Sequence, residues 1–384
     1  MAKKALIIGG GIGGTVSALE LKKKGWDVLI LEKSKRLGGG IRTSYVGGHP
    51  CTYGPRHFLT HDIKAFEYLN KYVPLRKCKE HIFWSYVEQD KEFYNYPIHY
   101  DDIPRMPEKD QILKEVSELD AKYRDNEYKL CVGSEESLDE VKDYKDFWLK
   151  SIGETLYKKF IEKYTKKMWR VEDERIIDDF TWSPKGVAIK SGPREGWDSA
   201  LSAYPQALTG YDPIFEQAEK SIKILFNSTV EVEEKSLTVK IDGAEHTFDV
   251  IINSVPLDEL FTSSDLPRLK FIGRTLEYIV LPVEYVLPEN VYFCYYTGGE
   301  RYTRVTEYKK FTQYNSKSTL ISIEYPSDKG RYYPMPTEID KNVYKEYAEK
   351  QHQHMFSIGR LGRYHYRYDI DDAIIQALEI VKDI

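Results

Sequence analysis

The chain has 384 residues, with 56 basic and 61 acidic side chains and a formal net charge of -5. That length exceeds what one core supports, so two or three packed units are expected, and the charge balance gives no basic footprint for nucleic acid, which argues against it as the main partner. Four scattered cysteines, Cys51, Cys78, Cys131 and Cys294, form no CxxC pair and no metal spacing with histidines, so they read as reduced thiols. With no signal-like leader and no apolar run near the roughly 20 residues that span a bilayer, the expected location is the cytoplasm. Tyrosine is abundant, 31 residues, and clusters at Tyr332-Tyr333 and at Tyr364, Tyr366 and Tyr368. Such rings stack on a base and hydrogen-bond to phosphate or sugar, which points to a polar, aromatic-lined cleft.

Ala5 to Ile8 is an all-apolar run suited to a strand buried on both faces of a parallel sheet. Gly9, Gly11 and Gly14 follow in GxGxxG register, with Gly13 between them: a tight turn, a close approach to a pyrophosphate, and helix-to-strand packing. A helix through Ala18 and Leu21 to a capping Gly25 turns its free amides to the diphosphate. A second buried strand, Val28 to Leu31, ends on Glu32, an acid placed to accept from ribose hydroxyls. Strand, helix, strand and acid together make the dinucleotide reading far firmer than the glycines alone. Arg36-Leu37-Gly38-Gly39, with Arg42-Thr43 beyond, is similar to the second glycine motif of FAD proteins of the glutathione-reductase and amine-oxidase type. No second GxGxxG occurs in the chain. FAD is therefore favoured, held by Gly9, Gly11, Gly13, Gly14, Glu32, Lys33, Gly38 and Gly39, with NAD(P)H at most an external reductant.

Further on, strands are expected at Ile82 to Val87 and Lys91 to Tyr96. The lysine- and glutamate-rich stretch from Pro107 to Lys167 has helical periodicity, as in Trp148, Ile152, Leu156 and Phe160. Alternation over Thr229 to Val239 and Tyr302 to Tyr308 predicts strands. Val250 to Pro256, and Phe356 to Arg360 with the Asp371-led helix after it, return to the first sheet. The predicted fold is α/β: a discontinuous Rossmann-like FAD-binding domain (1–75, 245–265 and 350–384) with an inserted helical substrate domain (100–180) and an antiparallel β-sheet domain (76–99, 181–244 and 266–349).

Four stretches carry a more specific signal: Tyr53-Gly54-Pro55-Arg56-His57-Phe58, Phe160 to Trp169, Tyr302-Thr303-Arg304-Val305-Thr306-Glu307-Tyr308-Lys309, and Gly359-Arg360-Leu361-Gly362. Together they resemble the UDP-galactopyranose mutases, flavoenzymes that interconvert pyranose and furanose forms of a nucleotide sugar. The resemblance implies a nucleotide-sugar cleft lined by Phe160, Tyr164, Thr165 and Trp169, with Arg304 and Tyr333 on the substrate diphosphate. It also implies Arg360, Asp369 and Ile370 by the flavin, and Tyr366 closing the site. Arg56, His57, Arg304 and Arg360 are the implied catalytic group. Reduced FAD would act through a covalent N5-sugar adduct, and a homodimer is the family expectation. Arginine forks and aromatic rings are also what a diphosphate and a flat base call for on physical grounds.

The chain departs from the family pattern in three places. Arg56 stands where the family has histidine, with His57 one place later, which points to a different sugar, such as one bearing an N-acetyl group. The mobile-loop arginine is replaced by a lysine, Lys185 or Lys190, which keeps charge but loses the bidentate fork. The Tyr364 to Asp369 stretch is one residue longer, leaving open which tyrosine stacks. Other readings stand beside this one. Phe160 and Trp169 also fit core aromatics, and Arg304 with Glu307 a surface pair worth little. A FAD oxidoreductase of the amine-oxidase type shares the N-terminal motif, and a flavin-free nucleotide-sugar binder is a third class.

Overall fold

A computed structural model describes residues 2–123, 141–178, 189–196, 200–228 and 230–384. The first apolar run forms the strand Lys4–Ile8, central in a five-stranded parallel sheet whose order is Lys223–Phe226, Asp27–Glu32, Lys4–Ile8, Val250–Asn253, Met355–Ser357. Ala5, Leu6 and Ile7 are fully buried because helices and loops cover both faces, which is why the run lacks alternation. Helix Ile12–Lys23 packs beside the C-terminal helix Ile370–Asp383. A Cβ at Gly13 would lie 2.9 Å from Ile358 and 3.4 Å from Ala373, so the missing side chain sets that close approach. The expectation that 181–244 belongs wholly to the antiparallel part fails at Lys223–Phe226, which pairs in parallel with Asp27–Glu32. Lys223 is exposed and Ile224, Leu225 and Phe226 are half-buried, a pattern that does not distinguish an edge strand of either sheet type.

The second sheet has seven strands in the order Tyr333–Pro334, Phe271–Leu281, Thr319–Ser327, Arg304–Glu307, Val291–Tyr296, Ile82–Val87, Glu92–Tyr96. The expected strand Tyr302 to Tyr308 is shorter, because Tyr308 opens the helix Tyr308–Thr312. The expected strand Thr229 to Val239 is instead two strands, Val230–Val232 and Thr238–Ile241, of a small meander with Ala244–Thr247. Lys235 takes a positive φ in the turn between them.

The helical insertion comprises Lys109–Tyr123, Tyr144–Phe160 and Glu162–Trp169. The middle helix breaks at Gly153, whose φ of 84° only glycine adopts cheaply. Glu115 caps the restarted segment, accepting from Thr155 N at 2.9 Å and Thr155 Oγ1 at 2.8 Å.

Candidate functional site

Sheet register builds the floor of a cleft. Ser85 lies opposite Tyr295, Tyr295 opposite Arg304, and Arg304 opposite Glu324, one residue from each of four adjacent strands. Directly opposite residues share a face. All four side chains accordingly line the same cleft.

The facing wall is helical. Tyr144 and Trp148, then Phe160, Ile161, Tyr164, Thr165, Met168 and Trp169, line it at the three- and four-residue spacing that keeps side chains on one side of a helix. Lys159, buried beside Phe160, pairs with Asp90 and lies 2.6 Å from Glu108, which pins this wall to the turn between two strands of the sheet. A third side comes from Pro55, Arg56, His57, Tyr333, Arg360, Tyr366 and Asp369.

The electrostatics of the floor centre on Glu324. Its Oε1 accepts from Arg274 Nε at 3.1 Å and its Oε2 from Arg304 Nη2 at 2.6 Å. Burial opposes its ionisation, but Arg304 and Arg274 hold its carboxyl below the usual range. The Tyr333 ring lies 4.5 Å from the Arg274 guanidinium and 5.2 Å from that of Arg360. Burial raises the Tyr333 phenol, yet Arg56, then Arg274 and Arg304, bring it below its ordinary value. Arg360 is itself paired with Asp369 at 2.8 Å.

Next to this cleft lies a loop pair that fits a dinucleotide. Gly11 precedes the helix Ile12–Lys23 with no side-chain cap and no acid in the first turn, and a Cβ there would meet nothing within 4 Å. Those amides are left for an anion. A Cβ at Gly14 would stand 2.0 Å from the Gly9 carbonyl oxygen. Glu32 accepts from Gly10 N and Ser34 N, both at 2.8 Å, at the end of its strand. Gly38 and Gly39 take φ of 106° and 52°, and Gly38 N donates to Gly10 O at 2.8 Å, joining the two glycine turns. Lys33 is exposed and pairs with Glu259 at 3.4 Å. Ile370 opens the C-terminal helix behind its N-cap, Asp369.

Most of the residues expected at the site do meet in one cleft: Arg56, His57, Phe160, Tyr164, Thr165, Trp169, Arg304, Tyr333, Arg360, Tyr366 and Asp369. Phe160 and Trp169 are both core and lining, at 2% and 6% exposure. His57 packs in an aromatic cluster, stacked on Phe311 at 5.5 Å and edge-on to His81 at 4.8 Å. Of the three tyrosines near the C-terminus, Tyr366 faces the cleft. Tyr364 stacks on Tyr344 in a different core, and Tyr368 stacks on His365. Lys190 is a correction: it is buried in the short pair Ile98–His99 with Ile189–Lys190, its ammonium donates to Glu195 O, and it does not line the cleft. Lys185 lies outside the described residues. Sequence reasoning missed Glu324, Arg274, Tyr295, Tyr144 and Trp148. Glu324 carried one signal, a charge set within the apolar strand residues Ile321 and Ile323.

Comparison with known proteins agrees with this geometry. Residues 159–366 match the profile of the UDP-galactopyranose mutase family, and residues 7–72 that of an NAD(P)-binding Rossmann-like domain. The chain belongs to the UDP-galactopyranose mutase family. It is 25% identical to the dTDP-fucopyranose mutase of Escherichia coli, over 98% of this chain and 97% of that one. It is also 25% identical to a probable UDP-galactopyranose mutase of Klebsiella pneumoniae, over 98% and 93%. A crystal structure of reduced UDP-galactopyranose mutase superposes with a TM-score of 0.77 at 16% identity, covering 100% of this chain and 93% of that one. As a member of this family the protein is an isomerase, a nucleotide-sugar pyranose/furanose mutase, and its dinucleotide site is that of a flavin cofactor. Among the described residues, no group of histidine, cysteine and acidic side chains could hold a metal ion, and no helix is long and apolar enough to cross a membrane.

Proposed function

We propose that this mutase acts on UDP-galactose or a related nucleotide sugar, such as UDP-N-acetylgalactosamine, with reduced FAD and no net redox change. The observation that carries the reading is one cleft holding an aromatic helical wall, the Arg274–Glu324–Arg304 cluster with Tyr333, and a border on the flavin glycine loop. Reduced FAD, when bound, supplies a nucleophilic nitrogen, N5, that exchanges with the nucleoside diphosphate at the anomeric carbon.

The chain's own residues do the rest. Phe160, Trp148 and Tyr144 give flat apolar surface for a base, and Arg304 with Tyr333 neutralises the departing diphosphate. Held there, the diphosphate returns to the sugar in an effectively unimolecular step. Arg360, tied to Asp369, adds positive charge at the cofactor end. The E. coli relative is named for dTDP-fucopyranose, which adds dTDP sugars to the candidates. The guanidinium-rich floor disfavours the amine-oxidase reading, because it would repel a protonated amine substrate. A homodimer is proposed as the working form, with light scattering as its check.

The test is direct. The holoenzyme, reduced with dithionite, is incubated with UDP-galactopyranose, UDP-N-acetylgalactosamine and dTDP-fucopyranose in parallel. A furanose product that forms only with reduced flavin supports the reading and names the sugar. An oxidised sugar, or no turnover of any nucleotide sugar by the reduced holoenzyme, would sink it.

A further inference from the structure

The cleft contains a cation with no carboxylate of its own. Arg304 is bridged to Glu324, which also takes Arg274, and Arg360 is bridged to Asp369. Arg56 donates through Nε to Tyr53 O at 2.9 Å, and among the described residues no hydrogen bond or ion pair reaches its Nη atoms. The side chain lines the cleft, half-buried, so those N–H groups have somewhere to point. Four guanidiniums thus share the two carboxylates bridged to them, with Asp372 acting on Arg360 from further off, so the surroundings of Tyr333 keep a net positive charge. A nucleoside diphosphate esterified to a sugar carries two negative charges.

Position agrees with that balance. Gly54, two residues before Arg56, would bring a Cβ within 4.0 Å of Arg304 Nη2 and 3.8 Å of Glu324 Oε2, so the Tyr53–His57 segment runs along the floor cluster. The expected second phosphate cation from the other side, Lys190, is committed to Glu195 O and lies outside the cleft lining.

We propose that Arg56 is a substrate-binding residue: it grips the nucleotide-sugar diphosphate from the wall beside the flavin loop and completes the charge match that Arg304 alone leaves short. The inference rests on the mutase reading above. A second source of the same chemistry is close, because the Arg56 guanidinium also lies 3.8 Å from where a Cβ of Gly40 would be, next to the flavin glycine turn. FAD and the substrate are therefore separated by the experiment.

UDP and dTDP, each against its bare nucleoside, are titrated into oxidised holoenzyme of the wild type and of Arg56→Gln, Arg56→Lys and Arg56→His, with flavin content and flavin reduction potential measured on the same samples. The expected result is a loss of about tenfold or more in diphosphate affinity for Arg56→Gln, nucleoside affinity unchanged, and partial rescue by Arg56→Lys, which keeps charge but not the fork. Should Arg56→Gln not hold its flavin, the Arg56→Lys and Arg56→His pair reads the same difference. Diphosphate affinity in the neutral variant within twofold of wild type overturns the proposal, and a shifted reduction potential alongside it assigns Arg56 to the flavin. Failure of the wild type to bind either diphosphate removes the mutase reading itself, and this inference with it.

Discussion

Glu324 shows how a single side chain organises this site. It keeps two guanidiniums, Arg274 and Arg304, aligned and close without cancelling both, so the floor stays positive for an anion. Removing one partner of such a buried network is costly because the other charges stay desolvated. Glu324→Gln is therefore expected to lose about 3 kcal/mol of stability, read by urea denaturation. A loss below about 1 kcal/mol would show that solvent reaches the arginines. Asp371 makes a pH prediction. Burial, then Asp372, pushes its carboxyl up to about 7, so between the ordinary carboxylate range and pH 7 the folded chain holds a proton that the unfolded chain has released. Its favourable contribution is full below about pH 4 and is lost as pH rises through 7. Asp371→Asn should gain stability relative to wild type on going from pH 5.5 to pH 8.5, by on the order of 1 kcal/mol, as thermal unfolding at the two pH values reports. At this scale the sequence revealed residues that sit in motifs, Arg304, Tyr333 and Arg360. It did not reveal Glu324 or Arg274, whose importance comes from meeting across strands.

Elements explain that difference. Helical periodicity is local, so Trp148, Ile152, Leu156 and Phe160 could be placed on one helix face from their spacing, and the glycine turn after Ala5 to Ile8 could be read from consecutive residues; Tyr164 and Trp169 came from the family resemblance. Strand register is not local. Nothing in the linear text sets Tyr295 opposite Arg304, or Arg304 opposite Glu324. For the same reason Lys223–Phe226 was placed in the wrong sheet: a short half-buried strand does not state its partner. Lys190 failed for a related reason, since its pairing strand and its carbonyl partner are tertiary facts. Two variants test the elements. Gly14→Ala places a methyl 2.0 Å from the Gly9 carbonyl oxygen and should yield protein with little bound flavin, checked by the flavin-to-protein absorbance ratio. Lys159→Met leaves Asp90 buried beside Glu108 without its cation and should cost about 3 kcal/mol in urea unfolding.

Across the whole molecule, the site exists only because distant segments converge. Residues near 56, 160, 304, 333 and 366 share one cleft although two sheets and a helical insertion separate them in sequence. The α/β class and the discontinuous return to the first sheet were legible from buried runs such as Val250 to Asn253; the seven-strand order was not, because it needs the pairing of strands over 200 residues apart, as in Val291–Tyr296 with Ile82–Val87. What this assembly is proposed to do is break and remake the bond between the anomeric carbon and the diphosphate while consuming no electrons. The most direct measurement places an oxygen isotope label in that bridging position of UDP-galactopyranose, or of whichever nucleotide sugar turns over, and follows it by phosphorus NMR in the reduced holoenzyme. The label is expected to spread to the non-bridging oxygens of the outer phosphate while the reduced flavin spectrum persists. Furanose formed with the label still wholly in the bridge, or flavin oxidised in step with product, would contradict it.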